Sequence, residues 1–353
     1  MMAKTLMKGN EALAAAAIAA GCKYFFGYPI TPQSEVPEYF SRELPKVGGV
    51  YLQAESEVAS INMVYGAAGA GARVMTSSSS PGMALMQEGI SYIAGAELPC
   101  LIINMMRGGP GLGGIQPSQT DYYIATRGGG NGDYRLISFA PANLQEMVDL
   151  IGESFDIADK YRNPVMIIGD GMLGQMMEPV DIKPRNQEAI EKPWATTGTE
   201  EKREPNIINS LYLDVEGLEA HNKHLQEKYA EVTRNEVRYE TQDLEGADIV
   251  LCAYGTVSRI CKSAMQQLAD EGIKVGLIRP ISIWPYPFQA FEEIDDTTKN
   301  LLVVEMNTGQ MLDDVKIASH GRWPVHFYGR QGGAIPSIEE IVDEVKKIVG
   351  GTK

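Results

Sequence analysis

Val74-Met75-Thr76-Ser77-Ser78-Ser79-Ser80-Pro81-Gly82 is the stretch whose reading decides the fold. Val74 to Thr76 reads as a strand. A run of serines follows, and Pro81 suits the first turn of a helix, where its missing N–H is no loss. The helix should run to about Ala96, and Leu101 to Met106 is then a short apolar run, as in a buried strand. The same alternation extends both ways along the chain. Upstream lie a helix over Asn10–Ala20, strands over Lys23–Gly27 and Val50–Gln53, and a helix of small residues over Glu55–Gly71. Downstream lie a helix over Ala142–Tyr161 and a buried strand over Pro164–Gly169. Apolar strands alternating with helices predict a parallel sheet covered on both faces.

From Glu178 to Glu245 the chain turns polar and rich in proline, with a charged helix expected over Leu218–Tyr239. A second α/β unit follows. Its strands are read at Ile249–Ala253, Val275–Ile278 and Leu301–Val304, its helices at Ser258–Glu271 and Ile335–Val349. The 353 residues suit about two domains at roughly 150 residues each. The expected fold class is α/β, with two Rossmann-like domains. The first spans 1–180 and the second 246–353, with 181–245 as a linker carrying a bridging helix.

Composition removes several function classes. Asp and Glu total 46 against 31 Lys and Arg, a net charge of −15. Such a surface repels nucleic-acid phosphates and anionic lipid, and no basic run exceeds Lys202-Arg203. No apolar stretch approaches the roughly 18 residues that span a bilayer, and Met1-Met2-Ala3-Lys4-Thr5 leads into an amphipathic segment instead of a signal peptide. A cytoplasmic protein is expected. Cys22, Cys100, Cys252 and Cys261 contain no C-x-x-C pair, which removes the usual iron–sulfur and zinc-ribbon arrangements from this chain. Every histidine lies beyond position 220, so the first 200 residues hold no Ser-His-Asp site.

Three motifs invite misreading. Gly109-Pro110-Gly111-Leu112-Gly113-Gly114 fits G-x-G-x-x-G, but a dinucleotide site needs a helix directly after it, and Gln116-Pro117-Ser118 does not start one. Gly169-Asp170-Gly171 resembles the diphosphate–magnesium motif of thiamine enzymes. That motif needs a later Asn, and Ala195–Pro205 contains none, so a strand-end turn is expected and no metal site. His221 and His224 sit on the charged helix, where a solvated face is the ordinary reading. Cys22 and Cys100 read as core residues.

The informative residues fall at strand ends of the first half: Tyr28-Pro29-Ile30-Thr31-Pro32, Glu57, Ser77–Gly82, and Arg107. In a parallel sheet these ends share the carboxyl edge, where ligands bind. A hydroxyl, a carboxylate, a serine run and a guanidinium would converge there.

These segments, together with Asn104-Met105-Met106-Arg107, Gln116-Pro117-Ser118-Gln119-Thr120-Asp121, Ile278-Arg279-Pro280, Trp284-Pro285-Tyr286-Pro287 and Glu305-Met306-Asn307-Thr308-Gly309-Gln310, carry a resemblance over nearly the whole chain. The chain resembles the alpha-type subunit of the 2-oxoacid:ferredoxin oxidoreductases, most of all that of the branched-chain (2-oxoisovalerate) enzymes. The resemblance implies a thiamine-diphosphate pyrimidine-binding domain followed by a transketolase C-terminal-like domain. It implies oxidative decarboxylation of a 2-oxoacid to an acyl-coenzyme A, with electrons passing to ferredoxin. Thiamine diphosphate would be shared with a beta chain that holds its diphosphate and Mg²⁺. A gamma chain and a ferredoxin-like delta chain would complete the complex, with the [4Fe-4S] clusters in the partners.

By position Glu57 matches the catalytic glutamate, a carboxyl that holds a proton at N1′ of the aminopyrimidine. Glu55 is the local alternative. Arg107 matches the arginine that takes the substrate carboxylate, for which its planar fork is suited. Thr31 matches the hydroxyl that bonds the substrate. Tyr28, Pro29 and Ser80 are expected at the cofactor, although the serine run also suits helix capping, which ranks first. Arg279 and Glu305 are candidates for interface or structural ion pairs. Two rivals stay open. A 2-oxoglutarate enzyme would need a second cation, for which Arg127 is available, and a stand-alone nucleotide-binding or scaffold protein would rest on the Gly109 loop.

Overall fold

The computed structural model describes residues 4–184 and 190–351. Met1–Ala3 of the expected start and residues 185–189 of the expected linker lie outside the described residues. The chain opens with β1 (Thr5–Lys8), α1 (Gly9–Ala19), β2 (Tyr24–Gly27), α2 (Glu35–Glu43), β3 (Val50–Gln53), α3 (Glu57–Gly69), β4 (Val74–Ser78), α4 (Ser80–Gly95) and β5 (Cys100–Met106). It continues with α5 (Tyr122–Arg127), β6 (Ile137–Phe139), α6 (Leu144–Tyr161), β7 (Pro164–Asp170), α7 (Gly171–Gln175) and β8 (Met177–Val180). After α8 (Val215–Asn235) come β9 (Tyr239–Gln242), β10 (Ile249–Cys252), α9 (Gly255–Asp270), β11 (Val275–Pro280), β12 (Ser282–Trp284), β13 (Asn300–Glu305), α10 (Met311–Ser319), β14 (Val325–Gly329) and α11 (Ile338–Gly350).

One sheet has seven strands in the order β12-β6-β7-β5-β4-β2-β3, all parallel except β12. The central strands β4, β5 and β7 are buried along their whole length, which explains their continuous apolar runs. Two cores lie on its two faces. Ile61, Val64, Met83 and Ile90 of α3 and α4 fill one, and Leu13, Phe40, Met147 and Ile151 of α1, α2 and α6 fill the other. Each fully buried side chain of this size contributes about 1.5–3 kcal/mol. The small residues of α3 and α4 allow close approach: a Cβ on Gly89 would stand 2.5 Å from Ile61 Cγ2.

A second sheet has the order β14-β13-β10-β11-β9, with only β9 antiparallel. The α/β class with two parallel sheets is the expected one. The two sheets exchange chain: β12 follows β11 in sequence yet pairs with β6, Ser282 opposite Phe139. The seams are polar and specific. Arg279 Nη1 and Nη2 donate to Glu146 at 2.9 and 2.8 Å, and its Nε donates to Glu240 at 2.7 Å. Among the described residues Glu305 forms no ion pair; it accepts the Met311 and Leu312 backbone N–H groups at the start of α10.

The helix α8 is less solvated than its charge pattern predicts, burying Leu225, Tyr229 and Val232. His221 Nε2 meets the Gly95 carbonyl and His224 Nε2 meets Glu97, so both histidines dock α8 on the end of α4. No described helix is long and apolar enough to cross a membrane.

Candidate functional site

The strand ends gather as the topology requires. Strands β2, β3, β4 and β5 run parallel, so Gly27, Gln53, Ser78 and Met106 end at one edge of the sheet. Glu57 is the first residue of α3, whose N-cap Ser56 accepts the Ala59 N–H. The cap fixes where the helix starts and so where Glu57 points. Its side chain is buried, 6% exposed. Gly82, in the first turn of α4, faces it: a Cβ there would stand 2.5 Å from Glu57 Oε1 and 2.2 Å from Ser78 Oγ. Among the described residues no group donates to the Glu57 carboxylate. Glu55, the local alternative, is exposed.

Arg107 follows β5 and is also buried. Its Nη1 donates to the Thr31 carbonyl at 3.0 Å and its Nη2 to the Leu112 carbonyl at 2.9 Å. Its Nε is buried without a partner. The guanidinium thus ties the Tyr28–Pro32 turn to the glycine loop. Thr31 is exposed, as are Tyr28 and Pro29, so these three line the open side of the edge. The serine run does not cap α4: Ser79 is the N-cap residue, but its side chain makes no capping bond, which overturns the capping expectation. The Ser80 hydroxyl instead donates to Asp121 Oδ2 at 2.6 Å and accepts the Arg107 N–H at 3.1 Å. Ser80 lies inside the helix start, and the Ser79 hydroxyl at the N-cap is buried without a partner among the described residues.

The structure brings Thr31, Ser80 and Arg107 into one hydrogen-bonded group, with Glu57 beside Gly82 and Ser78. Other buried polar atoms near these strand ends lack partners: Gln33 Nε2, Thr76 Oγ1, Ser78 Oγ, Ser79 Oγ and Asn104 Oδ1. Buried polar groups are ordinarily paired, so such a concentration marks where a ligand or another chain is received. Gln33 and Asp121 were not singled out as site residues from sequence. Gln33 accepts the Ser77 hydroxyl at 2.5 Å. Asp121 is nearly buried, and burial raises its carboxyl against the lowering pull of Ser80 and Asn104. Its only sequence signal was the Gln116–Asp121 motif.

The decoys resolve physically. No helix opens after Gly114; the next begins at Tyr122. Gly113 has φ +57, and a Cβ there would meet the Gly108 carbonyl oxygen at 1.7 Å, so that glycine serves a tight turn. Asp170 caps α7, with Oδ1 accepting the Met172 and Leu173 N–H groups and Oδ2 accepting the Thr256 hydroxyl. Asp170 thus serves as the cap of α7 and binds the Thr256 hydroxyl. Among the described residues no group of three His, Cys, Asp or Glu side chains could hold a metal. Arg127 Nη2 donates to Asp314 Oδ1 at 2.8 Å. All four cysteines are buried, and burial pushes the Cys22 and Cys261 thiols up to about 12.

The family model for the thiamine-diphosphate-binding part of pyruvate flavodoxin/ferredoxin oxidoreductases matches residues 15–242. That for core domain II of pyruvate:ferredoxin oxidoreductase matches residues 247–341. The ketoisovalerate oxidoreductase subunit VorB of Methanothermobacter marburgensis is 50% identical over 350 residues, 99% of both chains. The 2-oxoglutarate synthase subunit KorA of Methanocaldococcus jannaschii is 36% identical, over 95% of this chain and 97% of its own. Among solved structures, a 2-oxoglutarate:ferredoxin oxidoreductase from Magnetococcus marinus, with 2-oxoglutarate, coenzyme A and succinyl-CoA bound, superposes with a TM-score of 0.86 at 29% identity. It covers 98% of this chain, which spans 65% of that chain's length. A split-gene transketolase, an inactive beta4 tetramer, shares the fold at a TM-score of 0.63 and 13% identity. The two α/β units are therefore a thiamine-diphosphate-type domain and a transketolase C-terminal-like one. The chain belongs to the pyruvate flavodoxin/ferredoxin oxidoreductase family, as an alpha-type 2-oxoacid:ferredoxin oxidoreductase subunit.

Proposed function

We propose that this chain is the alpha-type subunit of a branched-chain 2-oxoacid:ferredoxin oxidoreductase, acting on 2-oxoisovalerate and coenzyme A. It works with a beta chain that holds diphosphate and Mg²⁺, a gamma chain and a ferredoxin-like delta chain bearing the clusters. Four buried, unpaired thiols suit a reducing compartment, and the cytoplasm is proposed. The single observation that carries the reading is the buried Glu57 carboxylate, free of described donors and faced by a glycine whose Cβ would fill the space beside it.

These residues fit an aminopyrimidine: a buried carboxyl for a ring nitrogen, a cradle with no Cβ, and unpartnered hydroxyls at Ser78 and Ser79. When bound, thiamine diphosphate supplies a nucleophilic carbon and an electron sink for decarboxylation. Glu57 holds the proton at N1′, and its burial excludes water from that bond. Arg107 presents its fork to the substrate carboxylate in exchange for the Thr31 and Leu112 carbonyls, and the Thr31 hydroxyl bonds the 2-oxoacid. Tyr28, Pro29 and Ser80 line the cofactor side.

The 36–50% identities rank the ketoisovalerate relative above the 2-oxoglutarate one. Arg127, the cation a second substrate carboxylate would use, is paired with the buried Asp314. The decisive experiment assays the assembled complex against a panel of 2-oxoacids with ferredoxin or viologen as acceptor. The highest kcat/KM is expected for 2-oxoisovalerate; a preference for 2-oxoglutarate would overturn the substrate assignment.

A further inference from the structure

Arg107 lies just past the end of β5, where an antiparallel bridge to Pro117 and the bond from the Gly108 N–H to the Gln116 carbonyl hold one side of its main chain. A side-chain relay holds it as well. Its N–H donates to Ser80 Oγ at 3.1 Å, and its carbonyl accepts Thr120 Oγ1 at 3.2 Å. The single Ser80 proton has two acceptors within reach, Asp121 Oδ2 at 2.6 Å and the Arg107 carbonyl at 3.3 Å, and the shorter contact is to Asp121 Oδ2. The same oxygen accepts Asn104 Nδ2 at 2.9 Å, three residues upstream of Arg107 on β5. Asp121 occupies the N-cap of α5 yet makes no capping bond. An Asp there would ordinarily contribute about 1 kcal/mol by capping, and this one directs its carboxylate to Ser80 and Asn104 instead.

Asp121 is itself anchored by the second domain. Gln119 donates its amide to the Tyr254 carbonyl at 3.0 Å and accepts the Met306 N–H at 3.0 Å. Its main-chain carbonyl accepts Asn307 Nδ2 at 2.8 Å. The second α/β unit therefore reaches the first-half strand edge through residues 119 to 121.

We propose that Asp121 is a positioning residue: through Ser80 it sets the main chain of Arg107, and so the aim of the guanidinium at the substrate carboxylate. This rests on the reading that Arg107 takes that carboxylate. A residue in this role governs how tightly the 2-oxoacid is held, and it leaves coenzyme A binding and the chemical step nearly untouched. Hydrogen-bonded networks of this kind act as units, so removing either of two linked members removes the same effect.

The test uses the assembled complex. Asp121→Ala is expected to raise KM for 2-oxoisovalerate about tenfold while changing kcat less than about twofold. KM for coenzyme A should not move. The dissociation constant of 2-oxoisovalerate, read by calorimetry on complex stripped of thiamine diphosphate, should rise by the same factor. Asp121→Asn, whose amide oxygen accepts the same two bonds, should bring KM back to within about threefold of the parent. Ser80→Ala should raise KM similarly, and the double variant should be no worse than the worse single one. An unchanged KM, an equal loss in every kinetic parameter, or additive single effects would overturn the proposal. If the Ala variant does not assemble, the Asn variant and Ser80→Ala decide it. Arg107→Ala separates the two readings. If it leaves KM unaltered, the Arg107 assignment falls and this proposal with it; if it raises KM while Asp121→Ala does not, only the Asp121 role falls.

Discussion

Gly82 faces the carboxylate of Glu57 so closely that a Cβ at position 82 would stand 2.5 Å from Oε1 and 2.8 Å from Cγ. The first turn of α4 and the first residue of α3 thus share one small volume, and only a residue without a side chain leaves the carboxylate where it is. Glu57→Gln should lower turnover at least about 100-fold, the usual scale of a general acid–base group, while the complex stays assembled on gel filtration. Gly82→Ala should push the carboxylate aside, cutting turnover as well and costing about 1–3 kcal/mol of stability through overpacking. Near-normal activity of Glu57→Gln would end its proton role.

Arg279 ties the two units together through Glu146, and pairs with Glu240 opposite it in its own sheet. Its side chain is 7% exposed, those of Glu146 and Glu240 19% and 33%. Arg279→Ala leaves Glu146 without its cation, while Glu240 keeps Lys262. A fully buried pair broken on one side costs roughly 3–5 kcal/mol, and the water still reaching these carboxylates reduces that to about 2–3 kcal/mol. The midpoint of chemical denaturation should fall accordingly; an unshifted midpoint would remove Arg279 from the account of the seam.

Burial pushes the Glu305 carboxyl from 4.5 up to about 7, against the lowering pull of the Met311 and Leu312 N–H groups and Asn307. An acid raised in the folded state keeps its proton there while the unfolded chain has lost it. Its stabilising contribution is therefore complete below pH 4.5 and lost as pH rises through about 7. Stability of the parent relative to Glu305→Gln should decline across that window and level off above it. Parallel curves for the two proteins would show that Glu305 does not titrate there.

Arg127 is 41% exposed and paired with Asp314. Asp314 is only 5% exposed and would keep just the Tyr122 hydroxyl, so Arg127→Ala should cost about 1–3 kcal/mol, and it should leave KM unchanged for 2-oxoisovalerate and 2-oxoglutarate alike. A selective rise in KM for 2-oxoglutarate would restore the rival substrate.

Periodicity reached the long elements because burial on one face, or on both, leaves a repeating apolar mark. The strand Val50–Gln53 is found at its expected bounds, and Pro164–Asp170 within one residue. Three-residue strands such as Ile137–Phe139 and Ser282–Trp284 carry too few positions for any period to register. The half-buried strand Val325–Gly329 and the short helix α10 escaped for the same reason of weak contrast.

For the site, sequence alone named Thr31, Glu57, Ser80 and Arg107 as residues at strand ends, because parallel topology sends all such ends to one edge. It also settled the α/β class, the acidic surface and the lack of a C-x-x-C pair. Only the tertiary structure decided what each group spends its hydrogen bonds on: Ser80 on Asp121, Arg107 on the Thr31 carbonyl, Arg127 on Asp314, and one oxygen of Asp170 on Thr256. Those choices depend on residues distant in the chain, brought within about 3 Å by packing, and spacing along one strand or helix carries no record of them.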